Sequence, residues 1–349
     1  MTGWPAQARR PDSAIRTTAV AALLIAGAIA IAQAQHSAEA PRAIAVMATP
    51  IASFDIRDAS RTRFGALEFR GGLELTSNDK DFGGLSALRV SADGARFVSL
   101  SDKGRWFRGR LTYRDGRLDG IADAETAPIL GGDGTPLAAH GRFDTESLAQ
   151  DDGTFYVGIE RVNEVWRFDY GKDGLLARGA PVAVPPGVKA LPHNKGLEAM
   201  AFVPRGQSAL GGTLIAISER GLDRAGNILG FLIGGALPGS FTVRRLDNFD
   251  ISDAELLPGG DLLLLERRFT YTSGIALRIR RVRQGDVRPG ALIDGRVLMQ
   301  ADMGYQIDNM EGLAAHRNAQ GETILTLVSD DNFSIIQRTI LLQFALTGE

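Results

Sequence analysis

Five short apolar stretches of this chain end on an acid, and in four of them a basic residue follows at once. The acids are Asp102, Glu160, Glu219, Glu266 and Asp330, followed by Lys103, Arg161, Arg220, Arg267 and Asp331. Upstream of each lies a polar residue in another short apolar segment: Ser86, Glu146, Glu198, Glu255 and Glu311. Carboxylates that recur at equivalent places repel one another if a fold brings them together, so basic residues or a hard cation must balance them. Calcium suits such a ring, because it takes roughly six to eight oxygen ligands. Zinc and copper do not, since the chain has no Cys and only four His. The chemistry such a set supports is metal-assisted hydrolysis of a phosphate or carboxylic ester, with a lactone as a close variant. On this reading Glu198, Glu311 and Asp330 are metal ligands and Glu146 or Glu255 is the general base. Arg161, Arg220 and Arg267 then hold an anionic group and the charge that develops on it. The competing reading of the same pattern is structural, with the acid–Arg pairs acting as salt bridges between repeats.

The elements that must position these residues read as short strands. Apolar runs of four to six residues recur at 97–100, 155–159, 214–217, 262–265 and 324–328. Between them sit hairpin signals such as Asp93-Gly94, Asp115-Gly116, Asp152-Gly153 and Gly259-Gly260, which supply the positive φ of tight turns. The strand-ending acids are spaced by 58, 59, 47 and 64 residues. A repeat of this length holding several strands is the signature of a β-propeller, whose innermost strands face one axis. The expectation is an all-β propeller of four-stranded antiparallel blades, six in number, with five or seven open and an irregular β-sandwich as the alternative. The sixth blade would combine 51–78 with the C-terminal strand at 340–346, closing the ring and covering its edges.

Composition bounds the rest. With 44% hydrophobic and 23% charged residues the chain is globular rather than disordered. Its 39 basic and 41 acidic residues give no basic field for nucleic acid. Residues 1–34 have the layout of a secretory signal peptide: Arg9, Arg10 and Arg16, an apolar run at 19–32, and the small-x-small site Ala32-Gln33-Ala34. The apolar run is shorter than the roughly 20 residues a bilayer core requires. The expected organisation is therefore a leader over 1–34, a linker over 35–50 and one domain over 51–349. The product would be periplasmic or secreted and monomeric, with no membrane span after cleavage. Among nucleotide and hydrolase signatures, no Gly-x-Ser-x-Gly, Walker loop or strand-borne Gly-x-Gly-x-x-Gly occurs. A non-catalytic propeller of the cell envelope, binding a ligand or protein through its loops, is the competing function.

Several segments also carry a family resemblance. They are Phe82-Gly83-Gly84-Leu85-Ser86-Ala87-Leu88, Ser101-Asp102-Lys103-Gly104, Asp144-Thr145-Glu146-Ser147-Leu148, Asn194-Lys195-Gly196-Leu197-Glu198-Ala199-Met200, Asp308-Asn309-Met310-Glu311-Gly312-Leu313 and 327–333. In this order and spacing the chain resembles the phytase-like family described by an esterase-like activity, an exported bacterial group. The resemblance implies a propeller and ester or phosphoester hydrolysis. The dense Asp clusters expected of alkaline β-propeller phytases are not part of the match.

Overall fold

The computed structural model describes residues 1–3 and 39–348. The leader expected over 1–34 therefore lies, past its first three residues, outside the described residues. From Glu39 onward the chain is one unit built from five sheets.

Each sheet is a blade with one strand at the axis and the others following outward. The innermost strands are Leu85–Val90, Thr145–Asp151, Leu197–Phe202, Asp250–Leu256 and Asn309–Arg317, in blades one to five. All pair antiparallel with the strand that follows them: Arg96–Ser101, Thr154–Ile159, Thr213–Leu222, Leu262–Thr270 and Thr323–Asp330. The inner strands are almost wholly buried because both of their faces are covered by neighbouring blades. The strands that follow them are sandwiched in the same way, which is why 97–100, 155–159, 214–217, 262–265 and 324–328 read as apolar runs rather than alternating ones.

Five hydrophobic clusters fill the five gaps between blades. Leu100, Trp106, Leu148 and Phe168 join blades one and two, and Ile215, Ile217, Leu262 and Leu264 join blades three and four. Leu313, Leu327 and Phe344 pack on Leu265 and Ile279 between blades five and four. Trp106, fully buried, meets Phe168 edge-on with ring centroids 5.3 Å apart. Each such side chain contributes roughly 1.5–3 kcal/mol by leaving water.

Among the described residues there is no sixth blade, and the count is five, one of the two alternatives left open. The segments assigned to it do come together: Thr339–Leu346 pairs antiparallel with Leu67–Thr76, and Met47–Ile51 lies outside that. They complete blade five, because Thr339–Leu346 also pairs with Thr323–Asp330 on its other edge. The ring is thus closed by mixing both ends of the chain in one sheet. The expected linker over 35–50 contributes strands from Arg42 on: Arg42–Ala43 pairs with the outer strand of blade one, and Met47–Ile51 with blade five. Arg42 also pairs with Asp79 and, at 2.7 Å, with Asp81, which anchors this segment to the ring.

Candidate functional site

The inner strands carry a recurrent irregularity that aims side chains at the axis. In blades two, three and five the cross-strand register skips one residue, and that residue is Glu146, Glu198 or Glu311. A β-bulge leaves its extra residue unpaired and turns its side chain away from the sheet. In blade one the skip falls on Ala87, beside Ser86, whose hydroxyl donates to Asp102 Oδ1 at 2.9 Å. In blade four it falls on Ser252.

That last placement corrects the reading of blade four. Ser252, and not Glu255, is the residue equivalent to Glu146, Glu198 and Glu311. Glu255 sits three residues further along the strand, outside the axial cavity, 3.3 Å from Arg89. The partner strand is displaced by one as well. Arg267, paired across from Asp250, holds the place that Asp330, paired across from Asn309, holds in blade five. Glu266 is turned into the blade, where it accepts from Arg278 at 2.7 Å and from Arg280 at 2.6 Å. Glu266 and both arginines are fully buried, so this acid is taken up by a structural salt bridge within blade four.

What remains on the axis opens into a cavity of about 680 Å³. Nine carboxylic acids line it against two basic side chains, Lys195 and Arg267. Arg267 lies 3.0 Å from Glu311, 3.3 Å from Glu219 and 3.6 Å from Glu198. Lys195 Nζ donates to both oxygens of Glu219, at 3.0 and 2.7 Å. Among the described residues no basic side chain forms an ion pair with Asp102, Glu146, Glu160 or Asp330. Burial, reinforced by neighbouring carboxylates, pushes Asp102 up to about 6, Glu160 and Asp330 to about 7 and Glu311 to about 8. Glu146 and Glu198 are held well above the usual carboxylate range for the same reasons. Carboxyls with raised pKa values cluster in this way at functional sites.

Of the expected site residues, Glu146, Glu198, Glu311, Asp330 and Arg267 line this cavity, and Glu255, Arg161 and Arg220 do not. Arg161 is exposed and lies over the Phe143 ring, 4.5 Å from its centroid. Arg220 turns outward onto Asp250, which Arg245 also holds at 2.9 Å. Glu160 and Glu219 carry more of the site than their expected role as one tier of the ring. Oxygens of Glu160, Glu198 and Glu219 all lie within 4.8 Å of one another. Glu160 Oε1 already accepts from the Gly196 amide at 2.8 Å. In addition, Glu311 Oε2 is buried with no hydrogen-bond partner. An all-oxygen donor set with an orphaned carboxylate oxygen fits a hard divalent cation and does not fit zinc or copper. Lys195, which the sequence marks only within a resemblance segment, is not among the expected site residues, because it lies in a loop, Asn194-Lys195-Gly196, whose direction only the fold decides.

The bulged acids and the residues flanking them coincide with a family match. The family model described as phytase-like, esterase-like activity of phytase, matches residues 80–333. The chain belongs to this phytase-like family. No curated protein matches the sequence significantly. Among solved structures, the α-L-arabinofuranosidase PaAbf62A from Podospora anserina is similar at 12% identity and a TM-score of 0.49, over 80% of this chain and 97% of that one. Glutaminyl cyclase from Myxococcus xanthus aligns at 11% identity and a TM-score of 0.39, over 76% and 92% of the two chains. Nothing about this protein's site follows from similarity at that level.

Proposed function

We propose that this phytase-like protein is a divalent-cation-dependent hydrolase, with calcium as the cation and a phosphate or carboxylic ester as substrate. The observation that carries the reading is the convergence of nine cavity-lining carboxylates, only three of them within ion-pair distance of the arginine at their centre. Had each ring acid been locked to an arginine with no cavity, a scaffold would be the better reading. Among the described ring acids only Glu266 and Glu255 are held by an arginine away from this cavity.

Glu160, Glu198 and Glu219, with Glu311 and Asp330 in the same cavity, are the residues that would hold the cation. When bound, it would supply Lewis acidity toward the ester oxygen and lower the pKa of a nearby water. Glu146 lines the cavity without a basic partner, and its raised affinity for a proton suits a general base that takes one from the attacking water. Water oxygen bonds to the phosphorus or acyl carbon, the ester bond to the alcohol oxygen breaks, and the proton passes to that oxygen as the alcohol leaves. Arg267 and Lys195 are the cavity's two cations and stabilise the negative charge that grows on the reacting group. Arg161 and Arg220, turned outward, have no part in this assignment.

The test is turnover of p-nitrophenyl phosphate, p-nitrophenyl acetate and a simple lactone by the purified protein, with calcium and with chelator. Calcium-dependent turnover of at least one is expected. Glu198→Gln and Glu311→Gln should each lower it by about two orders of magnitude or more, by analogy with the smaller 10–100-fold loss from perturbing residues behind the ligands. Their calcium affinity should fall by calorimetry while the β circular-dichroism spectrum is kept. No turnover on all three by folded protein would favour a non-catalytic envelope propeller instead.

A further inference from the structure

The wall of the acid cavity is two-sided. Blades two and three line it with polar side chains only, among them Asp144, Glu160 and Lys195. Its apolar side chains come from blade four, blade five and the segment joining them: Phe269, Ile275, Met303, Ile307 and Ile336. Three of these are also strongly exposed, Phe269 at 61%, Met303 at 57% and Ile336 at 86%. Beside them stand Tyr271, fully exposed and in edge contact with Phe269 at 5.4 Å, and Ile335. Large apolar side chains gathered at one lip are costly in water and mark a surface that something covers. The other two apolar side chains of this wall are less exposed, Ile275 half-buried and Ile307 buried, so the strip passes from exposed to buried.

Resting on the hydrolase reading above, we propose that the substrate is amphiphilic. Its ester or phosphoester group sits over the carboxylates, and an alkyl or aryl chain lies along the lip formed by Phe269, Met303 and Ile336. A water-soluble, uniformly polar substrate would leave this strip uncovered. A membrane surface would meet the outermost side chains but could not reach Ile275 and Ile307 within the wall.

Binding of butyl-, hexyl- and octylphosphonate, measured by calorimetry below their micellar concentrations in calcium buffer, tests this without requiring turnover. Affinity should rise about twofold to fourfold per added methylene, the range for half to full coverage of a CH₂. In the Phe269→Ser/Ile336→Ser double variant the rise should drop below about 1.5-fold per methylene, because the covered apolar area is gone. Both positions are exposed, so folding is expected to survive, checked by the melting curve. Phosphonates that bind with equal affinity at every length would overturn the amphiphile proposal and leave the hydrolase reading standing. Absence of binding at every length, alongside no calcium-dependent turnover, would overturn both. Sedimentation of the wild type, but not the double variant, with phosphatidylglycerol vesicles, together with length-independent phosphonate binding, would assign the lip to a lipid surface and overturn the proposal.

Discussion

Arg267 shows how one side chain decides the electrostatics of the ring. It stands where the other four blades place Asp102, Glu160, Glu219 and Asp330, and it reaches three acids on the two flanking blades. The surrounding carboxylates strengthen its hold on its proton, so it stays charged throughout any useful pH range. Replacing it by methionine keeps the length and removes the charge. Arg267→Met should cost up to about 3 kcal/mol at pH 8, the lower end of what breaking a buried pair costs, since the side chain is partly exposed. At pH 5 Glu311, whose pKa burial raises to about 8, is largely protonated and the loss should be smaller. Urea unfolding at the two pH values measures this. Equal losses would mean that Arg267 acts by packing alone.

At the scale of the element, blade four departs from the others by one register step. The departure puts Glu266 inside the sheet instead of on the axis. Its two buried arginines have second partners, Asp247 at 3.0 Å from Arg278 and Asp294 at 3.1 Å from Arg280, both at the surface. Glu266→Gln would leave two buried guanidinium groups without their shared carboxylate. It should destabilise the protein by about 3 kcal/mol and leave calcium affinity unchanged within about twofold. Calorimetry with calcium, paired with urea unfolding, separates these effects. A large fall in affinity would return Glu266 to the site. The blade-one residue Arg89 has a comparable structural role across blades. It donates to the carbonyls of Met200 at 2.7 Å and Leu313 at 3.1 Å, tying three inner strands together below the cavity.

For the whole molecule, the ring makes stability depend on pH in an unusual direction. The cavity acids have folded acidities between about 6 and 8, whereas an unfolded carboxyl titrates near 4. Between those limits the native state binds more protons than the unfolded one, so stability falls as pH rises from about 4 to about 8. In chelator, the melting temperature should therefore be highest near pH 4 to 5 and decline toward pH 8. Calcium should reverse the decline, raising the melting temperature far more at pH 8 than at pH 5, and should release protons on binding near pH 7. Scanning calorimetry across pH with and without calcium gives the first result, and titrations in two buffers of different ionisation enthalpy give the second. A melting temperature that is flat with pH and indifferent to calcium would show that the acids are compensated in some other way. Among the described residues no helix is long and apolar enough to cross a membrane.

By itself the sequence determined the class of fold and most of the ring. Asp-Gly turns between apolar runs dictate hairpins, and a polar residue set in a short apolar strand marked Glu146, Glu198 and Glu311, together with Ser86 and Glu255. These signals are local, because they arise from backbone preferences and from the cost of burying a charge. Tertiary structure decided the blade count, since segments 51–78 and 340–346 read as strands whichever sheet edge they join. It also decided the register of blade four. Asp253 and Glu255 offer two acids to choose from, and the unbroken run Leu262-Leu263-Leu264-Leu265 has no alternation to fix which face Glu266 takes. Only cross-strand hydrogen bonding sets that, and a one-residue step exchanges the axis for the interior of the blade. The apolar lip was beyond local reading for the same reason. Phe269, Met303 and Ile336 lie far apart along the chain, and only closure of the ring brings them to one wall of the cavity.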